Sequence, residues 1–337
     1  MLEGICRQRI RLVLLCALAL AATGCVHHER HRRLRLGPAL CPEGPPSWSA
    51  SDGRRLAYRK WAPASAEPRA VIVAAPGWNG TACDAEPLGR RLAKRGIAVY
   101  SVSMRGQHGD LSAAARRAKG NVDSGQLWES DLAEFTEWVH RRHPGTPLFL
   151  YGQSMGALTT MLVSMHEERD GGVKPRGVIL HSPAVAMMYP WPVVRVFTDG
   201  MRALYPHRLL FSIGLIPGDK PALTNNPKFD LYWGVSRDRV RPGYTWAFFD
   251  ESLRLGARAR NAAEHLHRPV LVLTGDQDPI GTAGVGQEAF ARLMRIIPSP
   301  EKQRRRFPNG YHDLFHDSNA EAAVKCIGDW VEEILRR

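Results

Sequence analysis

With 337 residues, 44% of them hydrophobic, the chain can bury a large core, which excludes disorder as a description of the whole and suits one large domain or two ordinary ones. The net charge of +13 is interleaved with acids, apart from one cluster near the N-terminus. No nucleic-acid-binding module accompanies that charge, so it does not by itself point to a nucleic-acid partner.

In chain order, Arg7, Arg9 and Arg11 come first and precede an apolar run from Leu12 to Ala22. Eleven residues are too few to span a bilayer but suit the h-region of a secretory signal. The run ends in AATGC, which resembles the lipobox of bacterial lipoproteins, in which the cysteine is diacylated and becomes the new N-terminus. On that resemblance residues 1–24 are a cleaved signal peptide and Cys25 carries the lipid. The protein is then exported and anchored to a membrane of the cell envelope, with the periplasmic side of the outer membrane as the expected place. More than one acyl chain is needed for a stable anchor, and a diacylated cysteine provides it. Cleavage removes three arginines and Glu3, which lowers the net charge from +13 to +11.

Residues 25–51 read as an unstructured tether, first basic, then rich in proline. Arg30, Arg32, Arg33 and Arg35 can rest on anionic headgroups or be merely solvated. His27, His28 and His31 are followed by no other metal-ligand spacing, so no metal is expected there. Three cysteines outlast signal cleavage and lipidation, namely Cys41, Cys83 and Cys326. At most one disulfide can form among them, and sequence does not choose the pair.

From about residue 52 short strand-like runs alternate with helical patterns. The runs lie at 56–61, 71–75, 97–102, 148–151, 177–182 and 269–274, and several are apolar throughout, as parallel strands covered on both faces should be. Leu127, Leu132, Phe135, Trp138 and Val139 recur at helical spacing between two of them. This alternation predicts an α/β fold, a mostly parallel central sheet flanked by helices. The core is expected over 52–183 and 264–337. About 80 residues separate the strand GVILHS from PVLVLT, too many for a loop, so 184–263 reads as an inserted, mainly helical cap. Its aromatics and methionines, Trp191, Phe197 and Met201 among them, serve either its own small core or the lining of a substrate pocket.

The stretch LFLYGQSMGA carries the chemistry. A strand, then G-x-S-x-G, then a helix-prone run is the context of a nucleophile elbow, in which Ser154 is held in a strained turn. Side chains at 152 and 156 would collide with the neighbouring strand and helix, hence the two glycines. A serine needs a base, and the base an orienting carboxylate. Downstream, GDQD offers Asp276 and Asp278 after a strand, and GYHDLFHD offers His312 and His316. Spacing alone does not choose within either pair.

The motifs GQSMG, GDQD and GYHDLFHD together resemble those of the α/β-hydrolase superfamily, in the branch of monoacylglycerol lipases, lysophospholipase-like enzymes and related serine hydrolases with a helical lid. The resemblance spans roughly 52–336 and implies a triad of Ser154, Asp278 and His312. It further implies an oxyanion hole made by the backbone amides of Met155 and Trp78. The family usually carries His-Gly-x where this chain has APGW, so Pro76 replaces the histidine. It usually carries D-x-R-G-x-G-x-S where this chain has SMRGQHGD, so Ser103 replaces the aspartate. The supporting hydrogen bonds of the oxyanion loop must therefore differ.

The implied activity is hydrolysis of a carboxyl ester of a lipid-like alcohol through an acyl-enzyme, with no metal or organic cofactor needed. Peptidase or acyltransferase chemistry on the same triad is the first alternative. A non-catalytic lipid-binding lipoprotein with an altered oxyanion loop is the second.

Overall fold

The computed structural model describes residues 46–64, 67–112, 119–169, 172–211, 223–226, 243–282 and 285–337. The signal segment, Cys25, the tether histidines and Cys41 lie outside these residues. The strands in chain order are β1 (Ser47–Ser49), β2 (Arg55–Trp61), β3 (Ala70–Ala75), β4 (Ile97–Val102) and β5 (Leu148–Gln153). They continue with β6 (Gly177–His181), β7 (Leu209–Phe211), β8 (Tyr244–Thr245), β9 (Val270–Gly275) and β10 (Lys302–Phe307). The helices are α1 (Glu86–Ala93), α2 (Gln126–His140), α3 (Met155–Arg169) and α4 (Val185–Met188), then α5 (Pro192–Leu204), α6 (Trp246–Ala263), α7 (Glu288–Ile296) and α8 (Ala320–Leu335).

Eight strands make one sheet in the order β1-β2-β4-β3-β5-β6-β9-β10, and β7 pairs with β8 as a separate ribbon. The β1–β2 and β2–β4 pairs are antiparallel and every other pair in the large sheet is parallel. The run AVIVAA of β3 shows why its apolar character is unbroken. Ala70, Ile72 and Ala74 join a core with Leu88 and Leu92 of α1 and Ile327 and Trp330 of α8. Val71, Val73 and Ala75 join a different core with Leu132, Phe135 and Val139 of α2. A strand whose two faces both meet helices has no polar positions to alternate with.

Two strands differ from the expectation. Ser47–Ser49, assigned above to the tether, pairs with Arg55–Ala57 and forms the edge of the sheet, so the core begins before residue 52. At the opposite edge, KQRRRF forms β10, whose first five residues are exposed or half-buried. A strand that is paired on one side only can carry arginines along its length, and these also discourage pairing with another chain. That is why it gave no hydrophobic signal.

Between 184 and 263 the described residues form α4, α5, the β7–β8 ribbon and α6, the last of which packs on α3, α4 and α5. Cys83 is disulfide-bonded to a partner outside the described residues, and Cys326 is free. Among the described residues no helix is long and apolar enough to cross a membrane.

Candidate active site

Ser154 stands between the last residue of β5 and the first of α3, with φ of 55°. A left-handed conformation at a residue with a Cβ is strained, and the packing around it holds it in place. A Cβ on Gly152 would lie 2.4 Å from the Gly156 carbonyl oxygen, and one on Gly156 would lie 2.4 Å from the carbonyl oxygens of Ala75 and Pro76. Both glycines are therefore required by contact with backbone, which cannot move aside. The elbow presses against the loop after β3 as well, since a Cβ on Gly77 would sit 3.0 Å from that of Ser154.

Asp278 follows the end of β9 and His312 the end of β10, neighbouring parallel strands whose carboxyl ends open onto the same edge of the sheet. The two loops are tied together: Gln277 donates its amide to the Gly310 carbonyl at 2.9 Å, and Asp276 donates its amide to Phe307 at 3.1 Å. His312 Nδ1 lies 3.0 Å from both carboxylate oxygens of Asp278. Asp278 Oδ1 also accepts from the amides of Ile280 and Gly281 at 2.9 and 2.8 Å. A carboxylate that only accepts requires the proton on Nδ1, which leaves Nε2 of His312 as the basic nitrogen. The other two candidates are engaged elsewhere. Asp276 pairs with Arg306 at 2.9 Å and His316 Nδ1 with Asp313 at 2.8 Å.

The loop after β3 turns tightly, with the Gly80 amide donating to the Gly77 carbonyl at 3.0 Å and Asn79 at φ of 60°. Trp78 lies in this turn and its ring meets those of Tyr244 and Phe248. Met155 is fully buried at the start of α3. Of the cap residues, Trp191 is 60% exposed and Phe197 43%, with Phe197 edge-on to Trp246 and Met201 half-buried. Trp191 caps the start of α5, and Phe197 lies on the exposed side of that helix.

One residue of the histidine loop's surroundings was not singled out in the sequence. His181, the last residue of β6, is fully buried and accepts the Leu314 amide at Nε2 over 3.2 Å. Its Nδ1 therefore carries the proton and donates to the Tyr151 hydroxyl at 2.7 Å. His181 thus holds the loop that carries His312 from below. A histidine ending the otherwise apolar strand GVILH was the available signal. Burial drives its pKa down to about 4, against the pull of the Asp313 carboxylate. Burial also opposes ionisation of Asp313, but His316, His181 and the Phe315 amide outweigh it and hold the carboxyl at about 2.

These shifts have a definite sign. Between pH 6.5 and about 4 the unfolded chain takes up a proton at His181 that the folded chain refuses, so stability falls by on the order of 3 kcal/mol. Asp313 removes more between pH 3.8 and about 2, where only the unfolded carboxyl is protonated. The melting temperature should therefore be flat above pH 7 and drop steeply toward pH 4. His181→Gln, which keeps an acceptor for the Leu314 amide, should flatten the upper part of that slope. An unchanged slope in that variant would remove His181 as its cause.

A family model described as serine aminopeptidase, S33 (Hydrolase_4) matches residues 66–319. The monoglyceride lipase of Homo sapiens is similar at 26% identity over 267 residues, covering 78% of this chain and 82% of that protein. Among solved structures, the monoacylglycerol lipase of Paleococcus ferrophilus aligns with a TM-score of 0.65 at 22% identity, over 83% of this chain and 98% of that one. A soluble variant of the Saccharomyces cerevisiae monoglyceride lipase, in complex with a substrate analog, aligns with a TM-score of 0.69 at 17% identity, over 90% and 97%. The matched region takes in the elbow, the Asp278 loop and the His312 loop, and the chain belongs to the Hydrolase_4 (serine aminopeptidase, S33) family.

Proposed function

We propose that the protein hydrolyses carboxyl esters of the monoacylglycerol or lysophospholipid type, with Ser154 as nucleophile, His312 as base and Asp278 as its orienting partner. Two observations support this reading: the Asp278 carboxylate, itself fixed by two backbone amides, on His312 Nδ1, and a serine held at φ of 55° on an elbow between strand and helix. His312 Nε2 takes the hydroxyl proton as Ser154 Oγ attacks the ester carbonyl. The amides of Met155 and Trp78 receive the negative charge on the carbonyl oxygen, and the alcohol leaves with the proton from His312. Water, activated by the same histidine, then releases the acid. Labelling of Ser154 by a fluorophosphonate probe, followed by a screen of monoacylglycerols, lysophospholipids, short soluble esters and aminoacyl arylamides, tests it. Preference for the arylamides would replace the esterase reading by the peptidase one.

The outward face of α5 supports a lipid-like substrate. Val193, Val196, Phe197 and Leu204 fall on one side of it and are 43%, 73%, 43% and 70% exposed. The polar side turns inward. Arg202 pairs with Asp250 at 2.6 Å and with Glu251, and Arg195 pairs with Asp250 at 3.2 Å. Burial opposes ionisation of Asp250, yet Arg254 and Arg202 hold its carboxyl below the usual range. An amphipathic helix seated on its charged side presents its apolar side to something less polar than water.

In this reading the helix rests on a lipid surface, and a lipid anchor at Cys25, which the AATGC ending supports, is a separate contribution. The two contributions separate. Val196→Asp should lower turnover of monoacylglycerol in phosphatidylcholine vesicles by about ten-fold, the equivalent of 1.4 kcal/mol of lost apolar contact. It should leave a soluble short-chain ester unaffected. Cys25→Ser should instead release the protein from the membrane fraction without changing its specific activity. Equal losses on vesicle and soluble substrates in Val196→Asp would remove the interfacial role of α5.

A further inference from the structure

The turn that carries Trp78 is braced from two distant parts of the chain, and Pro76 has no polar side chain with which to brace it. The peptide group between Gly77 and Trp78 is planar and trans, so its carbonyl and its N–H point in opposite directions. Fixing the carbonyl therefore fixes the N–H. The Gly77 carbonyl accepts two hydrogen bonds, from the Gly80 amide at 3.0 Å and from Gln107 Nε2 at 3.2 Å. Gln107 is fully buried. Its own carbonyl oxygen, Oε1, lies 3.2 Å from the Tyr244 hydroxyl, which also reaches Asn79 Oδ1 at 3.1 Å.

Tyr244 is likewise fully buried and belongs to β8, the strand that pairs with β7 and leads into α6. One hydroxyl thus contacts both the side chain that holds Gly77 and the side chain at position 79, whose residue bends the turn. Behind Gln107 the loop is tied down by ion pairs. Arg105 makes a two-point ion pair with Asp131 at 2.6 and 2.9 Å, and Arg54 Nε donates to Asp110 at 2.7 Å. The Gln107 backbone closes turns on either side, donating to Met104 and accepting from Asp110.

We infer that Gln107, braced by Tyr244 from the ribbon that precedes α6, is the positioning residue that aims the Trp78 amide at the developing oxyanion. This rests on the hydrolase reading above and names the part of the chain that regulates its geometry. Neither side chain touches the reacting atoms; both act through the Gly77–Trp78 peptide. Electrostatic stabilisation depends on donors held in place before charge develops, so a loosened peptide weakens transition-state binding and leaves ground-state binding of the ester intact.

The test uses the full-length protein and three variants, Gln107→Ala, Gln107→Glu and Tyr244→Phe, with kcat expressed per site titrated to completion by a fluorophosphonate. Loss of a whole oxyanion donor costs about 100- to 1000-fold, so a mis-aimed one should lower kcat by about 10- to 100-fold in Gln107→Ala. Gln107→Glu keeps the length and loses the donor, and should behave alike. Tyr244→Phe keeps the ring against Trp78 and should cost about three- to ten-fold. In each, KM should stay within about two-fold while the inhibition constant of a trifluoromethyl ketone, a tetrahedral mimic, rises in step with the fall in kcat/KM.

A merely structural role would lower the melting temperature and the fraction of titratable sites but leave kcat per site and the ketone's affinity unchanged. That result, or a loss confined to KM, overturns the inference. Should Gln107→Ala fail to fold, the other two variants decide by the same criteria. A parent protein that is not labelled at Ser154 would instead overturn the hydrolase reading itself.

Discussion

Ser154→Ala should lower kcat by about 10⁶-fold and abolish fluorophosphonate labelling. Ser154 alone occupies the junction between β5 and α3. The residual rate over water should be about 10³-fold, contributed by the oxyanion donors and by binding. The fold should be untouched, since alanine keeps the Cβ and with it the backbone strain at φ of 55°. Ser154→Gly should be equally inactive yet more stable than Ser154→Ala by about 1 kcal/mol, because glycine adopts the left-handed conformation without steric cost. Melting temperatures of the two variants check the strain and esterase rates check the nucleophile. Retained turnover in either protein would move the nucleophile elsewhere.

His312→Ala should approach the same loss, whereas His316→Ala should keep kcat within about ten-fold. Both histidines pair through Nδ1 with a carboxylate, so the contrast is demanding. The difference lies in what each carboxylate faces. Asp278 is fully buried and holds His312 Nδ1 while accepting the Ile280 and Gly281 amides, whereas Asp313 sits inside the histidine loop and also accepts the Phe315 amide at 3.1 Å. Removing His316 strands a buried carboxylate, so that variant should melt several degrees lower while still turning over. Asp278→Asn should fall between, at about 10⁴-fold, because an amide can hold His312 in the wrong tautomer. Initial rates against one soluble ester, beside melting curves, separate the three. A larger kcat loss in His316→Ala than in His312→Ala would reverse the assignment.

Much of this architecture is written locally. The unbroken apolar runs at 71–75 and 148–151 signalled strands buried on both faces, and the structure extends them by two residues at most. G-x-S-x-G between a strand and a helix pattern located the elbow, because collisions with backbone at 152 and 156 leave no residue but glycine. These features are legible because burial periodicity and steric exclusion act within a few residues of the chain.

What local pattern and spacing left open, tertiary structure decides. Asp276 and Asp278 are chemically identical two residues apart, and only the register of β9 on β10 brings the second to His312 and the first to Arg306. The strand KQRRRF is a strand because β9 offers it a free edge, which composition does not express. Helix α5 has an ordinary amphipathic pattern, and its apolar face turns outward because Asp250, Glu251 and Arg254 of α6 bind its polar one. Gln107 and Tyr244, 137 residues apart, meet at 3.2 Å against the turn of Trp78. A hydrogen bond between side chains so distant in the chain is specified by the packing of whole elements, and no local pattern encodes it.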